Sequence, residues 1–198
     1  DGSRMIGITI DSIAVGDSAQ ITRRVTDGDI AAFVDAVGDY NPVHADRAYA
    51  AATVFKEPIA PGIWTAGLVS AVIGTRLPGP GAIYLSQDLK FLKPVKAGDS
   101  ISARVEVLEI DREKNRIRLR TVCTNQRAEE VLTGEALVMP SRTSVQYTRP
   151  VEPMGAMALW TLQPLAWMAQ GAAIWGMLGL SALTIAAPPI TSPHSHPR

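Results

Sequence analysis

The run from Ile63 to Leu77, IWTAGLVSAVIGTRL, carries a single charge, Arg76, and is otherwise almost entirely small or apolar. A helix that crosses a bilayer needs about 20 consecutive apolar residues. This run is shorter, so it reads as a helix buried by its own chain. Breaker clusters close it at both ends, Glu57-Pro58-Ile59-Ala60-Pro61-Gly62 before it and Leu77-Pro78-Gly79-Pro80-Gly81 after it. The rest of the fold must supply its cover.

The cover follows directly in the chain. From Ile83 to Pro140 the pattern changes to strands that alternate apolar and polar residues between polar turns. Ile83–Phe91 is one strand, and Ile101, Ala103, Val105 and Val107 alternate with Ser102, Arg104 and Glu106 in the next. After the charged turn Asp111–Asn115, Ile117 and Leu119 alternate with Arg116, Arg118 and Arg120; Val131–Met139 is the last strand. One polar face per strand points to an antiparallel sheet with one buried face, and the apolar helix is what it buries. The expected fold is α+β, a sheet wrapped around a central helix.

Upstream, Ala19–Val25 reads as a strand and Thr26 as the N-cap of an amphipathic helix bearing Ile30, Phe33, Val34 and Val37 on one face. That helix ends at Gly38. A short alanine-rich helix with Tyr49 is expected over about Asp46 to Phe55.

Charge divides the chain sharply. Of 38 charged residues only Glu152 and Arg198 lie beyond position 150, whereas three of four tryptophans and four of six methionines do. Residues 5–140 are therefore expected to form the globular domain and 141–198 an apolar helical tail. Leu165–Ala187 is a run of 23 residues whose only strongly polar side chain is Gln170, long enough to span a bilayer. Three readings stand for the tail: a membrane or lipid-surface anchor, a helix pair docked on the core or a partner, or a non-native extension. A net charge of zero gives no reason to expect nucleic acid as a partner. The lone Cys123 excludes an internal disulfide and fits a reducing cytoplasm, and its strand-like setting points to core packing. No N-terminal signal peptide is expected, and Asp1–Arg4 reads as a cloning remnant. Lys90, Lys93 and Lys96 are expected to be a solvated edge that guards against aggregation.

Between the first two helices lies GDYNPVHADRAYA, Gly38–Ala50, where an acid, an amide and an imidazole surround a proline. Pro42 fixes its own φ and pushes Asn41 toward an extended conformation, so the loop is stiff. Asp39 and His44 on such a loop can share one water or one proton, although Asp and Asn before proline are also ordinary turn formers. Gly62, opening the buried helix, presents N–H groups without intrahelical acceptors to an anion or a polarised carbonyl oxygen. Ser70 at mid-helix can equally bond back to the preceding turn.

Taken together, the helix ending in GDYNPVH, the PIAPG breaker, the strand and turn IYLSQDLKFLKPVKAGD and the closing TGEALVMP resemble the R-specific enoyl-CoA hydratases of the MaoC-like, hot-dog-fold family. The likeness runs from about residue 11 to 140, its specific core is Asp-x-Asn-Pro-x-His, and Ala50 fits the extended motif. Val37 and Pro61 depart from the family's usual residues without removing a group that does chemistry.

The resemblance implies reversible addition of water to a trans-2-enoyl-CoA thioester, giving the (3R)-hydroxyacyl-CoA. Asp39 would be the base, His44 would orient the water or shuttle its proton, and the N–H of Gly62 would receive the oxyanion. Ser70 and Asn41 would support the site or position the substrate. Ser70 lies two turns from Gly62, about 12 Å along the helix, so it cannot serve the same oxygen. No metal and no separate cofactor are implied, coenzyme A being part of the substrate; His194 and His196 read as tail residues. A cytoplasmic homodimer paired edge to edge is implied, with precursor supply for polyhydroxyalkanoate as a use at a granule surface if the tail anchors. The alternatives are a (3R)-hydroxyacyl-acyl-carrier-protein dehydratase and a non-catalytic thioester-binding or membrane-scaffold subunit.

Overall fold

A computed structural model describes residues 4–148. In chain order the elements are β1 (Arg4–Gly7), a single 3-10 turn (Ile10–Ser12), β2 (Ser18–Arg24), α1 (Asp27–Val37), α2 (Arg47–Ala52), α3 (Gly62–Thr75), β3 (Ile83–Phe91), β4 (Ser100–Asp111), β5 (Arg116–Thr124), β6 (Glu130–Met139) and β7 (Val145–Thr148). Five of the strands form an antiparallel sheet in the order β2-β4-β5-β6-β3. β1 and β7 pair separately, Arg4 opposite Thr148.

The sheet has one buried face. Ile117, Leu119 and Cys123 of β5 are buried, as are Ile101, Ala103, Val105 and Val107 of β4. Against them α3 buries Trp64, Thr65, Leu68, Val69, Val72 and Ile73. Full burial of a Val, Leu or Ile side chain is worth about 1.5–3 kcal/mol, so this seam dominates the stability of the fold. α1 closes one flank with Ile30 and Val34. Its start is a reciprocal capping box in which Thr26 Oγ1 accepts from Asp29 N–H at 3.0 Å and Asp29 Oδ2 accepts from Thr26 N–H at 3.0 Å.

Four expectations are corrected. α3 is buried on one side only: Gly67, Ser70 and Gly74 are exposed on the other, and Ile63 is 57% exposed. Small residues score as apolar on both faces, so composition could not separate them. Val37 is likewise exposed, because α1 ends there as the chain turns away from the core. The globular fold runs past residue 140, since β7 returns to pair with β1, and Arg4 belongs to a strand. Lys93 and Lys96 are no bare edge but hold Glu129 and Glu57 at 2.6 Å each.

Among the described residues no helix is long and apolar enough to cross a membrane. The tail from residue 149 onward, together with His194 and His196, lies outside the described residues.

Candidate active site

α1 hands the chain to the loop at a fixed angle. Gly38 caps it in the left-handed conformation, φ 74° and ψ 21°, with its N–H donating to the Val34 carbonyl at 2.8 Å. A side chain there would be strained. Asn41 folds the loop back, its Oδ1 accepting from Val43 N–H at 3.4 Å and its carbonyl from His44 N–H at 3.0 Å. The Pro42 carbonyl accepts from Asp46 N–H at 2.9 Å, and Asp46 in turn caps α2 by accepting from Tyr49 N–H at 2.9 Å. A C-cap on one side and an N-cap on the other therefore hold the loop, and Ala50, wholly buried, seats α2 beneath it.

The loop brings Asp39 and His44 together. Asp39 Oδ2 lies 3.5 Å from His44 Nε2, with the imidazole side chain 9% exposed and the carboxylate 44%. The opposite ring nitrogen, Nδ1, lies 2.7 Å from the carbonyl oxygen of Ile59. A carbonyl only accepts, so in the neutral ring Nδ1 carries the hydrogen and Nε2 presents its lone pair. Two acceptors thus face one another at a separation longer than a good direct hydrogen bond. A molecule with two O–H donors, which is to say water, satisfies both at once.

Ile59 also ties this pair to α3. Its N–H donates to the Val43 carbonyl at 3.2 Å, Ala60 N–H donates to Val95 at 2.8 Å, and Trp64 N–H returns to Pro61 at 2.9 Å. The segment from the imidazole's anchor to the helix N-terminus is pinned at each step. Gly62 is the first residue of α3, and its N–H has no acceptor among the described residues. A methyl group on Gly62 would lie 2.7 Å from Cε1 of Phe91, so the phenyl ring rests directly on this glycine. Phe91 is 53% exposed and, with Phe55, Ile59, Ile63 and Leu92, lines an apolar cavity of about 400 Å³ beside Gly62.

The five residues singled out from the sequence do not all converge. Asp39, Asn41 and His44 share the loop, and Gly62 is joined to it through Ile59. Ser70 is exposed on α3 and makes no hydrogen bond to Asp39 or His44. The Ile59 carbonyl and the Phe91 ring were missed. The first acts through its backbone, which leaves no residue-type signal, and the second is carried to Gly62 only by the wrapping of β3. Among the described residues no group of three or more His, Cys, Asp and Glu side chains converges to hold a metal ion.

A sequence model of the MaoC like domain matches residues 14–131. The chain belongs to the MaoC-like family. Within it, the chain is 46% identical over 133 residues to the (R)-specific enoyl-CoA hydratase of Rhodospirillum rubrum, covering 67% of this chain and 92% of that one. It is 45% identical over 128 residues to the 3-hydroxybutyryl-CoA dehydratase of Methylorubrum extorquens, covering 65% and 81%. Among solved MaoC-like structures, the unliganded R-hydratase PhaJ1 from Pseudomonas aeruginosa superposes with a TM-score of 0.72 at 42% identity, over 76% of this chain and 97% of that one. The wrapped sheet and helix are accordingly the hot-dog fold of the family.

Proposed function

We propose that this chain is a hydro-lyase that adds water reversibly to trans-2-enoyl-CoA thioesters, giving (3R)-hydroxyacyl-CoA. The observation that carries the reading is the acceptor pair, Asp39 Oδ2 and His44 Nε2, held 3.5 Å apart with the imidazole tautomer set by Ile59. The substrate class is supported by the names of the relatives in the preceding section.

The steps follow from the geometry. Water donates one O–H to Asp39 and the other to His44, which turns an oxygen lone pair outward. As that lone pair forms the C–O bond at the β-carbon, Asp39 accepts the first proton as general base. The π electrons move toward the α-carbon and the thioester oxygen. The N–H of Gly62, at the positive end of α3, stabilises the oxygen's growing charge. A proton returned to the α-carbon completes the addition, and dehydration is the same path reversed. No redox change occurs, so the step asks for no cofactor beyond the thioester itself.

A homodimer is part of the proposal. Its support is the edge of the sheet: β3 exposes Ile83, Leu85 and Phe91 along a strand that, among the described residues, pairs only with β6, and α3 exposes the small residues Gly67, Ser70 and Gly74. An apolar edge of this kind is a template for pairing with a second strand.

Purified protein should remove the enoyl-thioester absorbance of crotonyl-CoA, and chiral chromatography of the hydrolysed product should return the (3R) acid. Loss of no absorbance, or a (3S) product, refutes the assignment.

A further inference from the structure

We propose that Lys93 and Arg127 bind the phosphate of the carrier arm that brings the thioester to Gly62; the inference rests on the hydratase reading. A second cavity, polar and of about 490 Å³, is lined by Lys96, Asp99, Arg127 and Glu129 among others. It shares Lys93 and Pro94 with the apolar cavity beside Gly62, so the two are neighbours across a single wall. A thioester with its oxygen on the Gly62 N–H sends one arm toward the acyl chain and the other out to the carrier. A phosphopantetheine arm is an uncharged chain from the thioester sulfur to a terminal phosphate, and this pair of cavities runs in the same order, from a lining uncharged but for the shared Lys93 to a charged one.

The cations at the polar end are arranged by one carboxylate. Glu129 accepts from Lys93 Nζ at 2.6 Å, Arg127 Nε at 2.8 Å and Asn125 Nδ2 at 2.8 Å. These donors, the Asn125 amide first and Lys93 and Arg127 after it, drive the Glu129 carboxyl down to about 2, so it is always ionised near neutral pH. One negative charge thus holds two positive ones in place. Arg127 spends only Nε on Glu129, which leaves its terminal nitrogens without a partner among the described residues, and Lys93 keeps two N–H donors in excess of its one bond. The cavity's other acids are engaged separately: Glu57 accepts from Lys96 at 2.6 Å, and Asp99 accepts from Lys96 N–H at 2.9 Å and Gln126 at 2.8 Å. A guanidinium edge and an ammonium with donors to spare are suited to phosphate oxygens.

Two other cavities contain cations, one at Lys90 and Arg120 and one at Lys114 and Arg116, but neither shares a lining residue with the apolar cavity. Position therefore selects the Lys93–Arg127 corner. Coenzyme A and an acyl carrier protein both present phosphopantetheine, and the phosphate is the chemistry they share.

The test compares crotonyl-CoA, crotonyl-pantetheine, which has no phosphate, and crotonyl-acyl carrier protein with wild type, Lys93→Ala, Arg127→Ala, the double variant and Arg127→Lys. Each lost charge-assisted contact should raise KM for crotonyl-CoA about tenfold with kcat unchanged, and Arg127→Lys should recover part of it. Crotonyl-pantetheine kinetics should be the same in all five proteins. A parallel rise in KM for the carrier-protein substrate assigns the corner to the shared phosphate, and a rise for crotonyl-CoA alone assigns it to the nucleotide phosphates. Unchanged KM for both phosphate-bearing substrates, or an equal loss on crotonyl-pantetheine, overturns the proposal. Failure of wild type to hydrate any of the three overturns the hydratase reading instead. Both side chains are about half exposed or more, so the variants should lose only the small stability of exposed ion pairs to Glu129 and stay folded at the assay temperature.

Discussion

Replacing the Asp39 carboxylate by an amide, Asp39→Asn, is the most direct test of the water-holding pair. The change is nearly isosteric but reverses the chemistry at one atom, because an amide nitrogen donates where a carboxylate oxygen accepts. His44 Nε2 is a lone pair at 3.5 Å from that position. The introduced amide can donate straight to it, so the two side chains bond to each other and the water loses both its acceptors and its base. General base catalysis contributes about 10²–10⁴-fold, which at 1.36 kcal/mol per tenfold is about 2.7–5.4 kcal/mol of barrier. Folding should barely change. The carboxylate is 44% exposed and faces an uncharged imidazole, so the amide removes no ion pair on which the fold depends. Initial rates with crotonyl-CoA, followed by loss of enoyl absorbance, would be read beside a thermal melt. The reasoning predicts kcat down by at least a hundredfold with an unaltered melt. Turnover within tenfold of wild type in a folded variant would remove Asp39 as the base.

Further outcomes follow from other contacts. Gly62→Ala drives a methyl to 2.7 Å from the Phe91 ring, so it should cost about 1–3 kcal/mol, and shortening the ring with Phe91→Leu in the same protein should restore most of that; additive losses in a double-mutant cycle contradict the contact. Burial pushes the Cys123 thiol up to about 12, so a thiol reagent at neutral pH should leave native protein unlabelled and react only after unfolding. Glu129 works in the opposite sense: its carboxyl is depressed to about 2 from an ordinary 4.5, so the stability it contributes is present above the ordinary value and disappears as pH falls through about 2. Carbon NMR of the Glu129 carboxyl should show it still ionised at pH 4, and a midpoint near 4.5 would show that the Lys93–Arg127 corner is not formed. Leu85→Lys places a charge on the β3 edge, where Leu85 is 41% exposed, and light scattering should register a shift from dimer to monomer without loss of the melt.

The sequence disclosed those features that depend on periodicity or on a cap. β3 and β6 lie where the pattern placed them, to within a residue, β4 and β5 begin there but run about four residues further, to Asp111 and Thr124, and the Thr26 and Gly38 boundaries of α1 are the expected ones. Alternation is visible in one dimension because each strand meets the core through every second residue. Which face of α3 is covered was not visible, because Gly67 and Gly74 carry no polar side chain to mark the open face and Ser70 could equally satisfy its hydroxyl within the helix. β1 and β7 were missed for a related reason: each has four residues, too few to display a period, and they pair with each other across the whole described chain. At the site, the motif placed Asp39 and His44 together but was silent on the Ile59 carbonyl, whose contribution is independent of the isoleucine side chain.

That carbonyl has a mechanical consequence. Residues 59 to 62 carry the anchor of the imidazole at one end and the open N–H of Gly62 at the other, with Ala60 pinned to Val95 between them. Any tilt of α3 therefore drags both attachments in the same direction. In the proposed reaction this segment is a short strut that sets the span between the attacking oxygen and the thioester carbonyl. Distant substitutions in the helix should then shift where the substrate sits before they change how fast it reacts.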